Sequence, residues 1–384
     1  MTHIAYIVSH SHRNIFDQML DGLFADALPV TLSIIEIPDP GSGVFVDGAV
    51  PVETLPTDPR LPAEARRYGC VEASTTGLTI QDLVAQCDRV FFQSLHEANA
   101  PLFLSLIGSG AVREAPICVL TDDEVERLYI RQLYLNSGAT EAAINKALRH
   151  SDALTAAYQA LTRAVIPEPF ASLLMTLLKR KLDIAPVMLP IVYAPQQGRH
   201  RDPDRSARFK QQRVNKVAIY SRSISLETWD LDFLEHLGRQ PGAYDGCTVH
   251  VFDTPARMAD IDQRCRARGA HGLQFSPLPF ALPLNAYLRF IEDMDALYLQ
   301  PRSGVLTIRH AVRCGVPVIA NRDYERLHFN LKLLQACGVT VFDSRHQLED
   351  SLRQGALPAL LLRNRANLML HEANAVKKFT ELFT

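Results

Sequence analysis

RSGVLTIRHAVRCGVPVIANRDYERLHFN, residues 302–330, follows the apolar run ALYLQP (296–301) and decides how the second half of the chain is read. The apolar run predicts a strand and the Ser-Gly pair a tight loop. A helix is predicted from about 305, and Pro317-Val318-Ile319-Ala320 returns to strand. Strand, loop, helix, strand is one step of a parallel sheet covered by helices. Arg302, Ser303, Gly304 and Thr307 fall on the loop and first helical turn. A helix start offers free N–H groups and a partial positive charge, which suits a phosphate. Gly304 permits close backbone approach, Ser303 and Thr307 supply hydroxyls, and Arg302 adds charge. Ser303 reads equally as a plain N-cap of that helix.

Working outward, the same alternation fills both halves of the chain. HIAYIVS (3–9), VTLSIIEI (30–37), DRVFFQSL (88–95) and APICVLTDD (115–123) read as strands, with helices predicted over 14–28, 79–87 and 100–108. Residues 38–62 are Gly/Pro-rich and read as part of a long surface loop reaching residue 78. Residues 124–182 read as mainly helical, with 153–165 and 169–184 the clearest pieces. A polar, basic stretch (191–215) reads as a linker. Beyond it, strands are predicted at 216–221, 248–253, 296–301, 317–320 and 339–343, with helices at 230–238, 256–269, 285–295 and 328–338. The tail from about 346 reads as helical. The fold class expected is α/β, two Rossmann-like doubly wound domains with a cleft between them. Their bounds are 1–190, a linker at 191–214, 215–350, and C-terminal helices at 351–384 that pack back towards the first domain.

Composition narrows the function classes. The 384 residues are 47% apolar and 21% charged, with a formal net charge of −2. That is a globular composition with no global basic signature for nucleic acid. No run of about 18 apolar residues exists to span a membrane, and the N-terminus lacks the basic flank of a signal peptide. The seven cysteines are scattered without a C-x-x-C pair, which fits a reducing cytoplasm and argues against a zinc cluster.

The pieces SHRN (11–14), FFQSLHEANAPLFLSLIGSG (91–110), NAYLRFIEDMDALYL (285–299), SGVLT (303–307) and CGVPVIANR (314–322) carry a resemblance in that order. The chain resembles GT-B glycosyltransferases. More narrowly, it resembles the bacterial family that moves 4-acetamido-4,6-dideoxygalactose from a dTDP-sugar to a lipid-linked disaccharide in enterobacterial common antigen synthesis. The resemblance implies a nucleotide-sugar donor held by the C-terminal domain and a glycan, lipid-linked or protein acceptor held by the N-terminal one. It implies no cofactor and no obligatory metal. Asn321, Arg322 and Tyr324 would face the donor sugar or diphosphate. Phe280, in SPLPFALPL, would lie by the nucleotide base or in the core. Many retaining GT-B enzymes carry two glutamates eight residues apart here; this chain has Arg302 and His310 instead.

A transferase must neutralise a leaving diphosphate, and Ser221, Arg222 and Ser223, after the first strand of the second domain, are further candidates. No Asp-x-Asp metal motif follows a strand there, and Glu292, Asp293 and Asp295 are expected on a helix facing solvent. An inverting reaction also needs a base for the acceptor hydroxyl proton. His10 and His12 stand at the end of the first strand, where histidines titrate near neutrality, and Arg13 could hold an acidic acceptor. His96 and Glu97 follow a later strand. Asp122 and Asp123 follow another, either as a carboxylate pair or as the cap of a helix. The helix at 171–182 ends in Lys179, Arg180 and Lys181. It reads as a core helix with a basic C-terminus, or as peripheral contact with the inner face of the inner membrane of a cytoplasmic enzyme. The alternative functions are a nucleotide-sugar 2-epimerase of similar fold and a non-catalytic two-domain sensor of a small ligand. A dehydrogenase is disfavoured because the first strand runs into SHSHRN and not a Gly-x-Gly-x-x-Gly turn.

Overall fold

The computed structural model describes residues 2–10, 16, 30–39, 44, 46–56, 61, 65–120, 122–148, 150–187, 216–220, 232–235, 248–251, 255–269, 273–277, 284–299, 305–320, 329–342 and 345–384. The chain divides into two compact units. Unit 1 is Met1–Gln196 with His371–Thr384, and unit 2 is Gln197–Leu370. The expected helix over 14–28, except Phe16, and the expected linker at 191–215 lie outside the described residues.

Unit 1 is built on β1 (Thr2–Ser9), β2 (Val30–Ile37), β3 (Val52–Thr54), β4 (Ala65–Cys70), β5 (Arg89–Gln93), β6 (Ile117–Val119), β7 (Arg163–Ile166) and β8 (Asp183–Pro186). The sheet order is β3-β4-β2-β1-β5-β6-β7-β8, parallel except that β3 runs antiparallel to β4 at the edge. The helices are α1 (Ile80–Ala85), α2 (Ala100–Ser109), α3 (Asp122–Asn136), α4 (Glu141–Leu148), α5 (Asp152–Ala160) and α6 (Ala171–Leu178). Thr79 and Asp82 close a reciprocal capping box at the start of α1, satisfying two orphan N–H groups.

The central strands β1, β2, β5 and β6 are buried along most of their length, so they read as continuous apolar runs and not as alternation. Phe92 on β5 meets Phe103 of α2 edge-on at 5.4 Å. The adjacent Phe91 points the other way, stacking on Tyr6 at 5.8 Å and meeting Phe383 edge-on at 5.0 Å. Phe383 ends the long α12 (Leu357–Phe383), whose residues from His371 belong to unit 1.

Unit 2 carries β9 (Lys216–Tyr220), β10 (Thr248–Val251), β11 (Gln274–Pro277), β12 (Ala296–Leu299) and β13 (Val318–Ala320), all parallel, in the order β11-β10-β9-β12-β13. Its helices are α7 (Pro255–Ala267), α8 (Leu284–Glu292), α9 (Val305–Arg313), α10 (Phe329–Ala336), α11 (Arg345–Arg353) and the first part of α12. Phe233 stacks on Tyr298 at 4.1 Å within a core that includes Met258, Ile261, Phe342, Leu357 and Leu361. Gly315 ends α9 at φ 70°, a left-handed turn that a Cβ would strain. Its N–H reaches Val312 O, and Val316 N–H reaches back to Ala311 O.

Several local expectations are corrected. The expected loop at 38–78 contains β3 and β4, which extend the sheet by two strands. The expected helix at 153–165 ends at Ala160. Leu161 turns extended (φ −62°, ψ 125°) and the apolar run Ala164-Val165-Ile166 joins the sheet as β7. The expected helix at 169–184 stops at Leu178, where Lys179 takes a left-handed conformation, and β8 follows. SPLPFALPL opens inside β11. Among the described residues of 339–343, Phe342 forms a single bridge to Ile319 and no strand is made. Asp295 is 7% exposed, not solvent-facing, and Glu292 is partly covered, whereas Asp293 is exposed as expected. Cys314, read from the sequence as a buried small residue within the helix after 305, lies just past the end of α9 and is partly exposed.

Candidate active site

Doubly wound sheets bind ligands outside the carboxyl ends of their strands, where strand order reverses. In unit 1 that reversal lies between β1 and β5, and in unit 2 between β9 and β12. His10 follows β1 directly, and Ser94, His96 and Glu97 follow β5. Tyr220 and Leu299 are register partners on β9 and β12. Ser221, Arg222 and Ser223 therefore succeed one strand of the pair in sequence, and Arg302, Ser303 and Gly304 succeed the other. Those six residues lie outside the described residues, as do His12, Arg13, Phe280, Asn321, Arg322 and Tyr324.

At the end of β1, the His10 side chain is 61% exposed while Glu36, near the end of the neighbouring β2, is only 2% exposed. His10 Nδ1 stands 3.9 Å from Glu36 Oε2. The other oxygen, Oε1, accepts from Arg67 Nε at 2.7 Å and meets Nη2 at 2.6 Å. A buried carboxylate is costly unless paired, and this two-pronged grip supplies the pairing. An exposed imidazole thus rests against a fixed, charge-compensated carboxylate. Sequence reading missed Glu36 and Arg67. The signal was there in VTLSIIEI, because a glutamate within an otherwise apolar strand must find a cation.

Beyond β5 the chain makes a braced turn. Ser94 takes φ 78°, which costs a non-glycine residue about 1–2 kcal/mol. Three bonds hold it: its N–H donates to Val119 O at 2.9 Å, its hydroxyl donates to Glu124, and its carbonyl accepts from Asn99 Nδ2 at 3.0 Å. His96 is buried at 4% exposure, with its N–H tied to Asn99 Oδ1 at 2.8 Å. Glu97 Oε1 accepts from Ser151 N–H at 2.8 Å, while Oε2 is buried without a hydrogen-bond partner among the described residues. His150, whose Nε2 is likewise buried and unpartnered, is held below the ordinary histidine value. Burial is the main cause, then the positive charges of Arg127 and Arg131, opposed by Glu97. Burial also pushes the hydroxyl of the neighbouring Tyr158 well up. Sequence reading did not select Ser94, Glu124 or His150 for this turn. A positive φ leaves no mark in composition, and His150 lies 53 positions beyond Glu97.

Asp122 and Asp123 open α3, and their side chains lie outside the described residues. In unit 2, Thr307 is 3% exposed, and its hydroxyl shares a 2.5 Å hydrogen bond with Tyr287 of α8. His310 lies one turn further along α9, 3.2 Å from Glu292 Oε1. Burial lowers its proton affinity, opposed by Glu292. Arg180 donates to the carbonyls of Tyr158 and Leu161, so one of the three basic residues after α6 is spent inside unit 1.

No protein-family model matches the chain, and no curated protein matches it. Solved structures do. The chain is similar to WaaG, a glycosyltransferase involved in lipopolysaccharide biosynthesis, over 99% of each chain at 11% identity, with a TM-score of 0.54. It is similar to an α,α-trehalose 6-phosphate synthase from Burkholderia multivorans over 100% of this chain and 97% of that one, at 10% identity and a TM-score of 0.56. A UGT transferase from Siraitia grosvenorii in complex with UDP is similar over 100% of both chains, at 10% identity and a TM-score of 0.53. These likenesses establish the fold as GT-B, with two Rossmann-like units. Among the described residues no helix is long and apolar enough to cross a membrane.

Proposed function

We propose that the chain is a glycosyltransferase that moves a sugar, a hexose derivative, from a nucleoside-diphosphate donor to a glycan or lipid-linked acceptor, with inversion and without metal at the diphosphate. The observation that carries the reading is the exposed His10 on the buried Glu36–Arg67 pair, at the strand-order reversal of unit 1 in a GT-B fold. In the step, the acceptor hydroxyl oxygen attacks the anomeric carbon and its proton passes to His10. The bond from that carbon to the diphosphate oxygen breaks, and the nucleoside diphosphate leaves with the electron pair. Glu36 stabilises the imidazolium that forms, and Arg67 keeps Glu36 in place. Unit 2 is the proposed donor unit. There the helix start at α9, with Arg302, Ser303 and Gly304, would neutralise the leaving diphosphate.

The resemblance in sequence makes dTDP-4-acetamido-4,6-dideoxygalactose the first donor to try and cell-envelope polysaccharide the first acceptor class. Peripheral membrane contact would rest on Lys179 and Lys181, since Arg180 is engaged. The test is thermal shift with dTDP-, UDP- and GDP-sugars, with and without EDTA. The expected result is a rise in melting temperature with one nucleotide series that survives EDTA. A chain indifferent to every nucleotide would favour the sensor reading, and Arg302→Ala with Ser303→Ala should remove the shift.

A further inference from the structure

We propose that Glu292, His310 and Cys314 form a zinc site, completed by water, that clamps α8 to α9. His310 and Cys314 are four residues apart, so they share one face, with Cys314 just beyond the last turn of α9. Glu292 ends α8 and reaches the same point. His310 Nε2 lies 3.2 Å from Glu292 Oε1 and 3.6 Å from Cys314 Sγ. The three donor atoms all fall within 4.8 Å of one another.

The two spacings from His310 Nε2 match edges of a zinc tetrahedron, and the 4.8 Å bound on the third leaves Glu292 and Cys314 a small movement to close on an ion. With bonds of about 2.0–2.1 Å to nitrogen and oxygen and about 2.3 Å to sulfur, the N–O edge is about 3.3 Å and the N–S edge about 3.5 Å. Nε2 carries at most one hydrogen, shared by Leu288 O at 3.1 Å and Glu292 Oε1, and a zinc ion would take the place of that hydrogen. The donor set chooses the ion. Thiolate, imidazole and carboxylate together suit zinc, whereas magnesium and calcium take oxygen. The His310 side chain is 9% exposed and that of Glu292 is 23% exposed, so the site is shielded but open on one side. Among the described residues this is the one group of three such side chains with ligand spacing.

The ion would sit apart from sugar transfer. It joins the same two helices that the Tyr287–Thr307 bond joins, but towards the C-terminal end of α9, away from Thr307 and the helix start. The expectation that the cysteines take no part in a zinc site rested on their spacing in sequence. The ligand set here is assembled from two helices and contains only one cysteine.

The test strips the full chain with a chelator and titrates it with zinc by calorimetry, then with cobalt(II) by absorption. One zinc per chain is expected, together with a thiolate-to-cobalt charge-transfer band in the near ultraviolet. Cys314→Ser should remove the band and weaken zinc about tenfold or more, and Glu292→Gln should weaken zinc while keeping the band. Stripped wild-type protein that takes up no zinc, or a Cys314→Ser variant that binds as before, would overturn the site. The wild-type cobalt spectrum decides even where a variant does not fold. EDTA should lower the baseline melting temperature while leaving any nucleotide-induced rise intact, so this proposal and the transferase reading can fail separately.

Discussion

Each unit sets a histidine against a glutamate, and the two pairs are opposite in burial. In unit 1 the histidine is open and the carboxylate is hidden, at 61% and 2% exposure. In unit 2 the histidine is hidden and the carboxylate is the more open, at 9% and 23%. The glutamate partners also differ. Glu36 is gripped by a guanidinium, whereas Glu292 converges with a thiol on one ring nitrogen. The lesson concerns access. An imidazole can take a proton from a substrate only if the substrate can touch it, which His10 allows and His310 does not. A buried imidazole with lone pairs around it is built to hold something small or to pack.

The contrast breaks first at Arg67. Arg67→Ala leaves Glu36 buried without its cation and should destabilise unit 1 by about 3–5 kcal/mol, read by urea unfolding. Glu36→Gln keeps the shape and removes the charge that faces His10. It should lower kcat about ten- to a hundredfold with the donor KM unchanged. A purely structural Glu36 would instead lower the melting temperature with kcat intact. In unit 2 the matching change, Glu292→Gln, removes a part-exposed partner and should cost no more than about 1 kcal/mol in zinc-free protein.

The smallest effect belongs to His150, which faces Arg127 and Arg131 of α3, Glu97 of the turn after β5, and Tyr158 of α5. Its value is depressed in the folded chain. The stability it contributes is therefore full above the ordinary histidine value of about 6.5 and is lost as pH falls through and below it. The melting temperature should decline between pH 7 and pH 5, and His150→Gln should flatten part of that decline.

The sheets were legible wherever a strand is covered on both faces, because IAYIV, LYL and VIA leave helical spacing no room. β3, β4, β7 and β8 were not. β7 follows the helical run ALTAAYQA without a break in apolarity, and β3 and β4 hide among prolines and glycines that read as loop. In the site, strand position was legible: polar residues crowding the ends of β1 and β5 pointed to His10 and Glu97. Partnership was not. Glu36 and Arg67 are 31 positions apart, and His310 meets Glu292 across two helices. Pairs of that kind depend on register and helix packing, which no local pattern encodes.

The central claim is that His10 accepts the acceptor proton. It is tested most directly by nucleoside-diphosphate release from the donor identified by thermal shift, compared between the wild-type chain and His10→Ala. The account predicts a loss of about a hundredfold or more in kcat with donor affinity unchanged. Full kcat in the His10→Ala chain would contradict it.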